Sequence, residues 1–274
     1  LLLAAYAGHG DTKHVLLFPE DPHEAFAFAA DAFDLAERLQ TPIFVMMDLD
    51  IGMNDWLSKP FVWEKDRKLD RGKIMTAEEL EAGKPFGRYA DVDGDAIPYR
   101  TLPGAHPALG AYFTRGSSHD RNARYTEEGS VYVDGMQRLL RKFETAKSLV
   151  PKPIIHKAKE KAKYGVIYYG STSAAMDEAL DALERQGLYL DALRVRAFPF
   201  SHEVIDFVNT YETVFMLEQN RDAQLQKLMV NECAIDPARF VSIPHYDGTP
   251  ITARFITGAI ADRMKLAKAK EAAE

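Results

Sequence analysis

Residues 165–173 read Gly-Val-Ile-Tyr-Tyr-Gly-Ser-Thr-Ser. An apolar run that passes directly into Gly, Ser and Thr is typical of a buried strand that turns into the N-terminus of a helix. The helix that follows is predicted to end at Gly187, because glycine commonly terminates helices. This strand and helix form the first β-α unit of the C-terminal part of the chain.

The same alternation continues to the end of the chain. Further strands are predicted at 193–198, 214–217 and 239–243, with helices at 201–211, at 223–233 and from 249 onward. Four successive β-α units predict a parallel sheet with helices on both of its faces.

A single β-α-β unit precedes this region. Residues 15–18 and 42–47 are continuous apolar runs, as expected of parallel strands buried on both faces. Between them, Asp21 and Pro22 begin a predicted helix, and Glu24 is predicted to complete a capping box with Asp21. The unit is too small to be a domain, so we interpret it as the end of a larger sheet.

The middle of the chain, from about residue 54 to 163, has no clean periodicity. Proline and glycine recur, and only two helices are predicted, at 76–82 and 133–149. Many aromatic residues, among them Phe61, Trp63 and Tyr112, argue against disorder. A long irregular segment in a compact protein is usually functional, and we interpret this one as an ordered arm.

Composition excludes several classes of function. The net charge is −7 and no basic patch is clustered, which argues against a nucleic-acid partner. Cys233 is the only cysteine, so the chain cannot form an internal disulfide or hold an iron–sulfur cluster by itself. No apolar run reaches the ~18 residues of a membrane helix. These features predict an intracellular, cytoplasmic protein.

Two predicted sites lie where strands of the C-terminal sheet end. Residues 170–173 could bind phosphate at a helix N-terminus, although a plain strand–helix turn is the favoured interpretation. Glu218 and Asn220 follow another strand, at the carboxyl edge where open α/β sheets bind ligands. The glutamate could act as a base, or it could equally anchor a neighbouring loop or subunit.

Two histidine–aspartate combinations lie in loops. His119 and Asp120 are adjacent in the arm, and His9 and Asp11 lie in a glycine-flanked turn. Such groups could position a proton or bind an acidic substrate, although a polar loop is the default for each. No two histidines have helical spacing, so no metal site is predicted.

Several blocks, in order, resemble the alpha subunits of 2-oxoacid:ferredoxin oxidoreductases. The matching blocks are residues 8–12, 15–19, 33–42, 48–54, 112–120, 214–220 and 246–248. The block at 35–54 resembles the 2-oxoglutarate branch more than the pyruvate branch.

The resemblance implies an α/β fold in three parts. Residues 1–56 would be the end of a pyrimidine-type thiamine-diphosphate-binding domain. An irregular arm would occupy 57–160, and a transketolase-C-terminal-like parallel-sheet domain would occupy 161–274. The chain begins at Leu1 without an initiator methionine, and the family's substrate motifs are expected upstream of it, so we expect a chain truncated at its N-terminus.

The resemblance also implies an activity. The family converts a 2-oxoacid and coenzyme A into acyl-CoA and carbon dioxide, and passes two electrons to ferredoxin. Thiamine diphosphate, Mg²⁺ and the iron–sulfur cluster would be held mainly by a partner beta subunit. Asp120, with His119, best matches an arm loop that closes over the active site. The resemblance would place His9 and Asp11 near the substrate loop expected upstream, and Glu218 and Asn220 near the cofactors.

Two alternatives remain open. The chain could be a non-catalytic assembly module for the beta subunit. It could also be a free-standing, flavodoxin-like nucleotide-binding domain with an unrelated arm. Retention of coenzyme A or a nucleotide by residues 160–274 alone would favour the latter.

Overall fold

The computed structural model describes residues 1–8, 10–116 and 118–271, with side chains up to residue 265. The helices are α1 Leu2–Ala5, α2 Pro22–Leu39, α3 Leu49–Met53, α4 Ala77–Glu81, α5 Gly129–Leu149, α6 Ser173–Glu184, α7 His202–Thr210, α8 Gln224–Cys233 and α9 Ala253–Glu271. The strands are β1 Val15–Leu17, β2 Ile43–Val45, β3 Ile154–His156, β4 Tyr164–Tyr168, β5 Leu190–Arg194, β6 Ala197–Phe198, β7 Thr213–Glu218 and β8 Phe240–Pro244. Short 3₁₀ helices lie at Gly170–Thr172 and Pro237–Arg239.

The predicted β-α-β unit is confirmed. Strands β1 and β2 pair in parallel, with Val15 opposite Ile43, and α2 connects them. All of β1 is buried, and its residues lie in the same core cluster as Phe28, Leu35 and Leu39 of α2. A continuous apolar run suits a strand that is covered on both sides.

Helix α2 begins as predicted, but the capping box does not form. The Asp21 carboxylate accepts the backbone N–H of Glu24 at 2.7 Å, and Pro22 is the first helical residue. The Glu24 carboxylate accepts the N–H of Glu20 instead of that of Asp21, and it also binds Arg194 and Arg196. The prediction of a box was wrong because two arginines from a distant strand hold this side chain.

The C-terminal sheet has the strand order β3-β5-β4-β7-β8. Four of its strands are parallel, which confirms the predicted parallel sheet. Strand β3 is antiparallel at the edge and was not predicted, because its three residues are exposed and carry no buried pattern.

The predicted strand at 193–198 is two strands in two sheets. Strand β5 ends at Arg194 inside the large sheet, and β6 pairs antiparallel with β1 in the small sheet. At the crossing, Val195 N–H donates to Tyr168 and the Arg196 carbonyl accepts from Phe18 N–H. This crossing joins the two sheets through one continuous backbone.

Helices cover both faces of the large sheet, as predicted. Ile167 of β4 faces a core that it shares with α7, α8 and the small sheet. Val166 and Tyr168, on the opposite face of the same strand, pack with α6 and α9. This alternation follows from the two-residue period of a strand.

The arm lies across α2 and is attached to it by ion pairs. Arg67 contacts Asp31 at 2.8 Å and Asp34 at 2.6 Å on α2. A second contact has the arginine on the helix and the aspartate on the arm: Arg38 of α2 donates two hydrogen bonds to Asp70. These contacts position the rest of the arm against the C-terminal end of α2, where α5 also packs.

Candidate functional site

Asp120 forms the turn in which it lies. Its Oδ1 accepts the backbone N–H groups of Asn122 at 2.8 Å and Arg124 at 2.9 Å. The backbone closes the same turn, since Asp120 N–H donates to Arg124 and Ala123 N–H donates to Asp120. An aspartate that bonds to the following backbone is a common turn former. Its Oδ2 makes no hydrogen bond within the described part of the chain.

His119 lies flat against Tyr89. The two ring centroids are 3.7 Å apart, with an interplanar angle of 14°. The guanidinium of Arg88 lies 5.0 Å from the Tyr89 ring centroid, and that of Arg138 lies 6.0 Å from it. His119 Nδ1 is buried without a hydrogen-bond partner. The stack therefore places the imidazole at the edge of a group of cations.

A cavity of about 230 Å³ lies beside this stack. It is formed by the C-terminal end of α2, the arm and the first half of α5. Its polar or charged lining side chains are those of Gln40, Arg88, Tyr89, Ser118, His119, Tyr132, Arg138 and Lys142. None of the described residues that line it is acidic.

Lys142 is the most buried of these cations, with 6% of its surface exposed. Its Nζ donates to Thr41 Oγ1 at 3.0 Å, and no carboxylate of the described residues pairs with it. Burial lowers the pKa of Lys142 to about 8, and the charges of Arg138 and Arg88 add to the effect. A depression of this size corresponds to about 3 kcal/mol of unfavourable interaction with the charged form.

We expect Lys142→Met to stabilise the chain near neutral pH, by up to about 3 kcal/mol, because no ammonium then has to be desolvated. Between pH about 8 and 10.5 the unfolded chain binds more protons at Lys142 than the folded chain does. The penalty from Lys142 therefore fades as pH rises through this window. Urea denaturation of both proteins in anion-poor buffer should show a difference that shrinks from pH about 7 to about 9.5.

Lys147→Met is the matched control for that experiment. Lys147 lies on the same helix, but its Nζ is 2.8 Å from Glu144. We expect its replacement to change stability little and without the same pH trend. A Lys142→Met difference that is constant with pH, or a loss of stability near neutral pH, would contradict the assignment of a buried, unpaired charge.

Glu218 anchors the start of α8. The carboxylate is completely buried and accepts the backbone N–H groups of Leu225 at 2.8 Å and Gln226 at 3.0 Å. Asn220 donates its side-chain amide to the same carboxylate, and its Oδ1 accepts from Gln224 N–H. Of the two interpretations of Glu218, these contacts favour the anchor of a neighbouring segment, since a negative group at a helix N-terminus satisfies free N–H donors.

The strand–helix turn at Gly170 is occupied by a carboxylate of the chain itself. Ser171 N–H donates to Asp48 Oδ2 at 2.9 Å, and Ser171 Oγ donates to Asp50 Oδ2 at 3.2 Å. Gly170 has φ +61°, and a Cβ there would lie 2.8 Å from Asp48 Oδ2. The turn therefore holds the two parts of the chain together, and Asp48 lies where a phosphate would bind.

A larger cleft of about 690 Å³ lies at the same sheet edge. Asp48, Asp50, Gln219 and His245 contribute its polar walls. His245 Nε2 lies 2.9 Å from the carbonyl oxygen of Thr249. The cleft is bordered by the exposed apolar side chains of Met47, Leu49, Met53 and Tyr246.

The other predicted site residues lie in the first turn of the chain. His9 lies outside the described residues. Asp11 is exposed and makes no ion pair or hydrogen bond through its side chain within the described part of the chain. A Cβ at Gly10 would lie 3.9 Å from Tyr132 Oη, so this turn borders the same end of α5 as the His119 cavity. Asp11 and Asp120 therefore lie on segments that approach one helix.

Sequence reasoning did not identify Arg88, Arg138 and Lys142. Arg138 and Lys142 are four residues apart on α5, which places them on one helix face. That spacing was the available signal, but a basic helix face is usually solvated. Only the packing of the arm shows that this face is covered.

Among the described residues, no group of three or more His, Cys, Asp and Glu side chains could hold a metal ion. Cys233 is a free thiol. Within the same residues, none of the helices has the length and apolar character needed to cross a membrane.

None of the protein-family models compared with the chain matches it. The alpha subunit of 2-oxoacid:ferredoxin oxidoreductase 2 of Aeropyrum pernix is 29% identical over 268 residues, which is 95% of this chain. The 2-oxoglutarate synthase subunit KorA of Methanocaldococcus jannaschii is 23% identical over 211 residues, or 75% of this chain. The chain is similar in sequence to the alpha subunits of 2-oxoacid:ferredoxin oxidoreductases.

A solved structure has the same fold. It is the 2-oxoglutarate:ferredoxin oxidoreductase from Magnetococcus marinus with 2-oxoglutarate, coenzyme A and succinyl-CoA bound. It matches 96% of this chain with a TM-score of 0.80 and 21% sequence identity. The chain spans 40% of the Aeropyrum subunit, 52% of the Methanocaldococcus subunit and 44% of the solved chain.

Proposed function

We propose that this chain is part of the alpha subunit of a 2-oxoglutarate:ferredoxin oxidoreductase. Within the complex, it would serve the oxidative decarboxylation of 2-oxoglutarate with coenzyme A, which yields succinyl-CoA and carbon dioxide while two electrons pass to ferredoxin. The observation that carries the proposal is the sequence similarity to alpha subunits over 95% of the chain. The common fold, with a TM-score of 0.80, supports it.

The beta subunit is the partner that we propose. Following the resemblance, we assign thiamine diphosphate, Mg²⁺ and the iron–sulfur cluster mainly to that subunit, and coenzyme A to the complex as co-substrate. Exposed apolar side chains on and after α3 support a covered face, since contiguous apolar surface marks interaction sites. They include Leu49, Met53, Leu57, Phe61 and Trp63.

In this proposal, the loop that carries His119 and Asp120 lies over the reaction centre formed with the partner. The free Oδ2 of Asp120 supports such a role, because a carboxylate that needs only one oxygen for its own turn can present the other to a substrate. Tyr89 would hold the loop in place through its stack with His119.

The test is an assay of the native complex that contains this chain. With 2-oxoglutarate, coenzyme A and oxidised ferredoxin, we expect reduced ferredoxin and succinyl-CoA in the stoichiometry of two electrons per acyl-CoA. Asp120→Asn is expected to lower turnover at least about tenfold, a loss typical of a missing charged contact in a reaction centre. Asparagine keeps the Oδ1 acceptor of the turn, so the loop should remain intact.

Asp236→Asn is the control for this variant. Asp236 is exposed, and its Oδ1 likewise accepts a following backbone N–H, that of Ala238 at 2.9 Å. It lies in a turn remote in sequence from the arm, and turnover should be unchanged. Unchanged kinetics for Asp120→Asn would remove Asp120 from the site, and no turnover with any 2-oxoacid would contradict the proposed function.

The alternatives give different results in the same experiments. A non-catalytic assembly module would bind the beta subunit, but the variants at Asp120 would not affect turnover. A free-standing nucleotide-binding domain would retain a nucleotide without a partner. The latter is disfavoured by Asp48, whose carboxylate fills the turn at Gly170 where a phosphate would otherwise accept the Ser171 N–H.

A further inference from the structure

The cavity beside His119 is lined by several cationic side chains to which the proposed function assigns no role. Arg88 lies in the part of the arm that precedes α5, whereas Arg138 and Lys142 lie on α5 itself, and all three line the same space. The charges of Arg138 and Arg88 are close enough to act on Lys142. Like charges that converge on one cavity repel each other, so the arrangement is unfavourable unless an anion joins it.

The carboxylates near this cluster are already bonded elsewhere. Asp91 acts on Arg138 electrostatically, but its Oδ2 lies 3.6 Å from Arg141. Its Oδ1 accepts the backbone N–H groups of Gly94 and Ala96. Asp91 does not line the cavity, and none of the described lining residues is acidic. The described residues therefore provide the cavity with cations but with no anion.

Each cation retains donors for a ligand. Lys142 Nζ has three donors and gives one to Thr41. Arg138 Nη1 donates to the Ala96 carbonyl at 3.0 Å, which leaves other guanidinium N–H groups free. Arg88 makes only ring contacts, with Tyr89 and Tyr112, among the described residues. His119 Nδ1 also lacks a partner at the same wall.

We infer that Arg88, Arg138 and Lys142 form a binding site for a small oxyanion, a carboxylate or a phosphate group, between helix α5 and the part of the arm that precedes it. Guanidinium and ammonium groups are the side chains that best recognise such oxygens. The volume of about 230 Å³ suits a single phosphate or carboxylate group with its immediate neighbours, and not a whole nucleotide. A bound anion would tie the loop at His119 to α5.

If the proposed function holds, two molecules of that reaction carry this chemistry, namely 2-oxoglutarate with its carboxylates and coenzyme A with its phosphates. The site itself is inferred from the residues of this chain and does not depend on which of them supplies the anion. Inorganic phosphate is therefore the first probe, and its binding can be tested without any turnover.

The experiment is calorimetric titration of the 274-residue chain with inorganic phosphate, repeated with Arg88→Gln and Lys142→Met. We expect saturable binding to the wild-type chain and at least about tenfold weaker binding to each variant, because each loses a charge-assisted contact. Lys147→Met, on the same helix but paired with Glu144, should bind phosphate as the wild type does. Thermal unfolding without phosphate verifies that each variant is folded.

Competition experiments then distinguish 2-oxoglutarate from coenzyme A as the source of the anionic group. Displacement of phosphate by 2-oxoglutarate supports the site with a substrate carboxylate as its ligand, and displacement by coenzyme A supports it with a phosphate group. Phosphate binding with no competition from either still supports the oxyanion site, for a different ligand. No saturable binding to the wild-type chain, or binding that Arg88→Gln and Lys142→Met leave unchanged, would overturn the inference.

Discussion

Glu24→Ala is expected to lower the free energy of unfolding by about 3 kcal/mol, because it removes the main counter-ion of a buried arginine. The Arg194 side chain is only 2% exposed, and its two terminal nitrogens lie 2.5 Å and 3.0 Å from the Glu24 carboxylate. Arg196 donates to the same carboxylate at 2.8 Å. Loss of Glu24 would therefore leave buried Arg194 with Glu20, at 3.2 Å, as its remaining ion-pair partner among the described residues.

The effect should depend on pH. Burial alone would raise the pKa of Glu24, but hydrogen bonds and charge from Arg194, with a charge contribution from Arg196, hold it below its ordinary value of 4.5. The folded state thus favours the ionised form, and the stability from this pair is fully present above that value. It is lost as pH falls through the lowered folded-state pKa, so the difference between the wild type and Glu24→Ala should decrease in acid.

Urea denaturation at neutral pH measures the effect. Glu178→Ala is the control, because Glu178 is an exposed residue of α6 without an ion pair within the described residues, and it should change stability by less than about 0.5 kcal/mol. The double variant Glu24→Met with Arg194→Met should be more stable than Glu24→Ala alone, because it buries no unpaired charge. A loss below about 1 kcal/mol for Glu24→Ala would show that the pair does not hold α2 to the large sheet.

Glu218→Ala is expected to cost about 3 kcal/mol, since each lost hydrogen bond to a charged group is worth about 1.5–3 kcal/mol and the effects are not additive. The first turn of α8 would then bury two N–H groups without acceptors, those of Leu225 and Gln226. Glu218→Gln should have an intermediate effect, because the single amide oxygen of glutamine can accept only some of the hydrogen bonds that the two carboxylate oxygens accept.

Denaturant unfolding with Glu212→Ala as the control tests this. Glu212 is exposed next to the start of the same strand, β7, and makes no ion pair within the described residues. Its removal should have little effect. If Glu218→Ala were as stable as the wild type yet inactive in the complex, Glu218 would be a reacting group, and the anchoring role would be wrong.

The contacts of Glu218 and those of Glu24 differ in how far the amino-acid sequence predicts them. Glu218 follows a predicted strand, so its place at the carboxyl edge of the sheet was predictable, and so was the possibility of an anchor. The partners of Glu24 were not predictable, because Arg194 is 170 residues away and was expected only as part of a strand. A local motif, the capping box, was the nearest available interpretation, and the distant arginines displaced it.

The amino-acid sequence by itself determined the elements whose cause is local. Continuous apolar runs specify β1, β4 and β7, because a strand covered on both faces needs apolar residues at every position. The run at β2 also forms a strand, but its residues are only partly buried and Phe44 is exposed, so the burial predicted there was wrong. The Asp21 cap and Pro22 specify where α2 begins, and Gly187, with φ +71°, follows the end of α6. The family resemblance was likewise carried by short blocks that keep their order along the chain.

Tertiary structure alone decided the rest. The break between β5 and β6 depends on two sheets that meet at Arg196, and the occupied turn at Gly170 depends on Asp48, which is remote in sequence. The cavity of Arg88, Arg138 and Lys142 exists only because the arm covers one face of α5. Long-range contacts of this kind depend on packing geometry and on the desolvation of charge, and neither leaves a periodic signal in the amino-acid sequence.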